Sequence, residues 1–121
     1  MNTEDILRQI VEHEYPSASV FDDALSVCGR SRNAFSENFA KEVAQRYLHG
    51  TIAFDVADCA INALSAWTPL EDFSACCWAI YLAFDEGEYL HRGQAAGTNE
   101  ELFTRPLLIK AKSDFFPDAN G

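Results

Sequence analysis

Apolar residues recur along most of the chain at intervals of three and four, and alternating period-two runs of strand length are scarce. This predicts helices rather than a sheet. Ile6, Leu7, Ile10 and Val11 follow a candidate Thr3 cap and predict a short first helix that Pro16 ends. Ser19 to Asp22 resembles a capping box, with Val20, Phe21, Ala24 and Leu25 on one face and Gly29 as a stop. The pairs Val20-Phe21 and Val27-Cys28 also fit irregular structure. Ser31 opens the clearest helix, in which Phe35, Phe39, Val43 and Tyr47 recur every four residues until His49-Gly50 closes it.

A fourth helix is predicted from about Ala53 to Trp67. At 100° per residue Phe54, Ala57, Ile61 and Leu64 share one face, and Asp55, Asp58, Asn62 and Ser65 the opposite one. Pro69 marks a turn. The next segment, Leu70 to about Glu86, carries Phe73, Cys77, Ile80, Tyr81 and Phe84 on one stripe, with Trp78 and Leu82 on the other side. A helix apolar nearly all round belongs at the centre of a bundle, so Ile80 and Phe84 are expected to be fully buried. Residues 87–97, polar and with three glycines, predict a loop. Thr98 and Glu101 form a second capping box ahead of Leu102, Phe103, Leu107 and Leu108, and Pro106 must kink or restart that helix. The tail, 113–121, is expected to fray. The pattern as a whole predicts a single all-α domain over 1–121, an irregular bundle of five to six helices around the segment Leu70 to Glu86.

Composition narrows the function classes. With 121 residues, 48% apolar and 23% charged, the chain suits one domain able to bury a core of its own. Nineteen acidic residues against nine basic ones give a net charge of -10, which argues against nucleic acid or an anionic membrane as direct partner. The start, Met1 to Asp5, is acidic where a signal peptide would be basic. The longest apolar run, Ala75 to Phe84, is about half of what a bilayer span needs. A cytoplasmic protein is expected. Cys28, Cys59, Cys76 and Cys77 contain no C-x-x-C pair, and they read as thiols acting as small hydrophobes.

The charge is unevenly distributed. From Tyr47 to His91 there is no Lys or Arg, yet Asp55, Asp58, Glu71, Asp72, Asp85, Glu86 and Glu88 all fall there. Such a region is either a docking face for a basic protein or a solvated surface kept for solubility. Trp67, at a helix end, and Trp78, off the core stripe, are aromatic anchor candidates within it if exposed, and core packing is the reading favoured for Trp78. The candidate partner-binding set is therefore Asp55, Asp58, Asn62, Trp67, Glu71, Asp72, Asp85, Glu86 and Glu88.

Catalytic and metal signatures are missing. Glu88 and His91 have the Glu-x-x-His spacing of di-iron bundles, but that site needs two such motifs and two further glutamates. After His13-Glu14 the second histidine of an H-E-x-x-H would fall at Ser17. No nucleophile elbow or phosphate loop is present, so no cofactor, metal or catalytic residue is assigned. His49 suits a helix C-terminus, and Arg30, Arg32 and Lys41 form the only basic cluster, a candidate anion seat.

The run Phe39 to Phe54 has the form F-x(7)-Y-L-x-G-x-I-x-F. It resembles the helix, glycine stop and next helix of small acidic immunity-type proteins of bacterial toxin systems. The resemblance implies a non-enzymatic cytoplasmic protein that binds and neutralises a basic toxin. Two other classes stand beside it: a helical homo-oligomeric adaptor, possible as a homodimer, that self-associates around Trp67 and Trp78, and a small enzyme using the 87–97 loop and His91.

Overall fold

The computed structural model describes residues 3–13, 18–88 and 100–115. Among these residues six α-helices follow one another: α1 (Thr3–His13), α2 (Ala18–Cys28), α3 (Arg32–Leu48), α4 (Phe54–Trp67), α5 (Ala75–Glu88) and α6 (Arg105–Phe115). A 3-10 turn, Leu70–Asp72, precedes α5, and a π-helical turn, Glu100–Thr104, leads into α6. Among the described residues there is no strand.

Local chemistry sets most of these bounds. The Ser31 side chain accepts from Ala34 N at 3.2 Å and so caps α3. Gly50, at φ 80°, supplies the left-handed residue that ends it. Gly29, at φ 70°, does the same after α2. Thr3 and Ser19 lie inside α1 and α2 instead of capping them. Pro16 and Thr98 lie outside the described residues.

The core is one cluster to which all six helices contribute. Ile6, Phe21, Phe39, Val43, Tyr47, Ile61, Leu64, Ile80, Phe84 and Leu108 are buried in it. Its centre is aromatic: Phe84 meets Tyr47 edge-on at 5.4 Å between ring centroids and Phe54 at 5.8 Å. Three polar side chains among the described residues are buried as well. Ser36 and Thr68 share a hydrogen bond of 3.1 Å between α3 and the end of α4, and Thr104 Oγ1 donates to Ala83 O at 2.8 Å.

Several expectations need correction. The fifth helix begins at Ala75 rather than Leu70, because Ser74 Oγ accepts from Cys77 N at 3.3 Å and the chain before it turns through the 3-10 element. Phe73 is buried all the same, from extended backbone, which is why the apolar stripe ran on past the helix. At the other end α5 continues through Gly87 to Glu88, so Gly87 is helical and not a loop residue. The π-helical turn lets Pro106 enter in the first turn of α6, where no intrahelical donor is lost. Helix α6 runs to Phe115, which packs against the core, so 113–115 are helical, and the rest of the expected frayed tail, 116–121, lies outside the described residues. Finally, α5 packs on α3, α4 and α6 but is not surrounded, because Trp78 (38% exposed) and Leu82 (52%) face solvent.

Candidate protein-docking surface

Helices α4 and α5 form an antiparallel hairpin. Phe54 at the start of α4 touches Phe84 near the end of α5, and the 3-10 turn closes the opposite end. The basic-free stretch of sequence is this hairpin. Its carboxylates do not form one stripe. Asp55, Asp85 and Glu86 gather at the end where α4 starts and α5 stops, and Glu71 and Asp72 lie at the other, about 20 Å away along fourteen helical residues.

The α4 residues are not equivalent. Asp55 is exposed, and its Oδ1 accepts from Val56 N at 3.1 Å in the first turn, where a carboxylate also suits the helix dipole. Asp58 and Asn62 are half-buried, which corrects the expectation of an exposed stripe. Asp58 Oδ1 is shielded from solvent, and Asn62 Nδ2 turns back onto Asp58 O at 2.9 Å.

Trp67 is also engaged. Its ring stacks on Phe21 at 5.3 Å, meets Phe35 edge-on at 5.6 Å and lies under the Arg32 guanidinium at 4.8 Å. Its Nε1 donates to Asp22 Oδ1 at 2.9 Å. These contacts bind α2 to α3 and α4, so Trp67 is a structural latch rather than an open anchor. They also disperse the expected anion seat, since Arg32 covers Trp67 and Lys41 pairs with Glu37.

Trp78 is the exposed one of the two tryptophans. Phe73 and Tyr81 hold it edge-on at 4.9 and 5.6 Å, and its outer part is open. Leu82, one turn on, was noticed in the sequence only as an off-stripe residue; its exposure makes it part of the same surface. Leu70, in the 3-10 turn, is 74% exposed.

The last turn of α5 carries Asp85, Glu86 and Glu88 and no basic residue. The side chain of Glu88 lies outside the described residues. Carboxylates at a helix C-terminus oppose the macrodipole and cost about 0.3 to 1 kcal/mol each where exposed. The ion pairs Arg46–Glu4, Arg8–Asp5, Arg105–Glu101 and Lys110–Asp114 lie on α1, α3 and α6 and at the turn before it. Asp55, Glu71, Asp72 and Glu86 take part in no ion pair among the described residues.

Among the described residues no group of three His, Cys, Asp or Glu side chains is placed to hold a metal ion. His49 sits exposed at the end of α3, and His91 and most of the 87–97 loop lie outside the described residues. An open groove of about 650 Å³ beside α1 is lined by Cys28, Arg30, Phe35 and Arg46, and the 2.8 Å Arg46–Glu4 pair stands at its edge. The four cysteines form no disulfide. Burial pushes the Cys76 thiol up to about 12, with the Glu37 carboxylate adding to the shift, and burial also raises Cys77. Cys28 is exposed. Thiolate is the reactive form, so a disulfide reagent at pH 8 should modify Cys28 rapidly and reach Cys76 and Cys77 only after unfolding. Fast modification of either buried cysteine in the folded protein would contradict this packing.

Comparison of the chain with protein-family models, curated proteins and solved structures finds no match. None of the described helices is long and apolar enough to cross a membrane.

Proposed function

We propose that this chain is a non-catalytic binding module that docks a basic protein partner on the α4–α5 hairpin, most concretely as an immunity-type inhibitor of a basic bacterial toxin acting in the cytoplasm. The observation that carries the reading is the acidic last turn of α5. That turn holds Asp85, Glu86 and Glu88 in sequence and no basic residue, and Glu86, which opposes the helix dipole, makes no ion pair among the described residues. A local arrangement that costs stability is expected where function demands it. Complementary charge would speed encounter and discriminate partners, and Trp78 with Leu82 would supply the apolar centre that an interface needs.

The exposed Trp78–Leu82 pair also favours a second reading, a helical homo-oligomeric adaptor. Charge ranks it lower, because two copies meeting through this face would place like carboxylates against one another. The test is inhibition. A basic toxin encoded beside this chain's gene should lose its activity when mixed with one equivalent of the purified protein. Full toxin activity at tenfold excess would reject the inhibitor reading.

A further inference from the structure

We infer that the element seated on this face is an amphipathic α-helix of the basic partner, three to four turns long, with apolar side chains along one side and a lysine or arginine at each end. The inference rests on the docking reading above and adds the shape of what docks. Its first support is linearity. Ala75, Trp78 and Leu82 are all exposed, and at 100° per residue they fall within a sector of about 60°, so they make one stripe parallel to the axis of α5. Ala79, half-buried on the flank of that sector, leaves low ground beside the two large side chains where a partner side chain can settle as ridges settle into grooves.

Rigidity is the second support. The edge contacts of Phe73 and Tyr81 fix the Trp78 ring, so little side-chain entropy remains to be lost when it is covered. Charge placement is the third. Glu71 lies before the stripe and Glu86 after it, about 20 Å apart, which is the length of a helix of about fourteen residues. A rod with apolar residues in the middle and cations at both ends matches all three features at once. A second copy of the chain does not, because residues 70–88 hold no Lys or Arg to meet Glu71 and Glu86, and the arginines that the fold brings beside the two ends are engaged, Arg32 over Trp67 and Arg105 with Glu101. Addition of an extended strand has nothing to extend, since the described residues contain no sheet edge.

The test uses a capped fifteen-residue peptide with leucine at every third or fourth position, two lysines at each end and alanine elsewhere. A scrambled peptide of identical composition breaks the leucine face, and fluorescence anisotropy reads the affinity of both. The helical peptide should bind at least tenfold more tightly than the scrambled one. Leu82→Glu, at an exposed position where folding is spared, should remove that difference, and Trp78→Ala should reduce it. Equal binding of both peptides would overturn the helix inference and leave the acidic docking reading standing. Preferential binding of the helical peptide that ignores salt and Glu86→Lys would keep the apolar seat and sink the charge reading. No binding of either peptide would overturn the inference and the docking surface together.

Discussion

Replacing Phe84 with alanine should cost about 3 to 5 kcal/mol, a large part of the stability of a typical domain. The ring is 1% exposed and sits where three helices meet. It presses edge-on to Tyr47 of α3 at 5.4 Å and lies tilted against Phe54 of α4 at 5.8 Å. Truncation removes the apolar burial and both ring contacts, and the cavity left behind cannot collapse easily because its walls belong to separate helices. Urea unfolding followed by circular dichroism should show a lower midpoint at an unchanged slope. A loss under about 1 kcal/mol would mean that α5 does not hold this place in the core.

The second large effect is expected at Gly87. A Cβ at this position would stand 2.1 Å from Thr104 Oγ1 and 2.9 Å from the Phe54 ring. Thr104 cannot turn aside freely, because its buried hydroxyl donates to Ala83 O at 2.8 Å. Gly87→Ala gains about 1 kcal/mol of helix propensity. Against that stand about 1 to 3 kcal/mol of overpacking and a similar penalty if the hydrogen bond breaks. With both penalties the net expectation is a loss of about 1 to 5 kcal/mol, read as a fall in melting temperature. A neutral or stabilised variant would show that the π-helical turn does not press against the end of α5.

Gly87 also illustrates what a sequence reveals and what it hides. Read locally, it opens a polar stretch with two more glycines and signals a loop. In the fold it is a close-approach glycine inside a helix, and only the distant Thr104 and Phe54 explain it. Helix α3 was legible because its determinants are local: a serine cap, a four-residue apolar rhythm and a glycine in the left-handed region. The start of α5 was not, because Phe73 is buried from extended backbone and so mimics one more turn of the stripe.

The same distinction applies to the surface. The absence of Lys and Arg from 47 to 91 is plain in the sequence, but its division into two ends follows from the antiparallel hairpin. Trp67 looked like an anchor until Phe21, Phe35, Asp22 and Arg32 were seen to enclose it, and all four lie more than thirty residues away in sequence. Trp78, in contrast, is partly exposed, although core packing was the role that its apolar surroundings in the sequence favoured.

The most direct measurement of the docking claim is to follow Glu86→Lys in two ways at once. A lysine in the last turn of α5 suits the helix dipole, so the variant should melt at a slightly higher temperature than the native protein. Its association with the proposed basic partner, followed by stopped flow at low and at physiological salt, should be several-fold slower at low salt, and the two proteins should converge as salt rises. A gain in stability together with a slower, less salt-sensitive association is the predicted result. A more stable variant that associates at the native rate, with the native salt dependence, would contradict the claim and leave the acidic end of the hairpin as solvated surface.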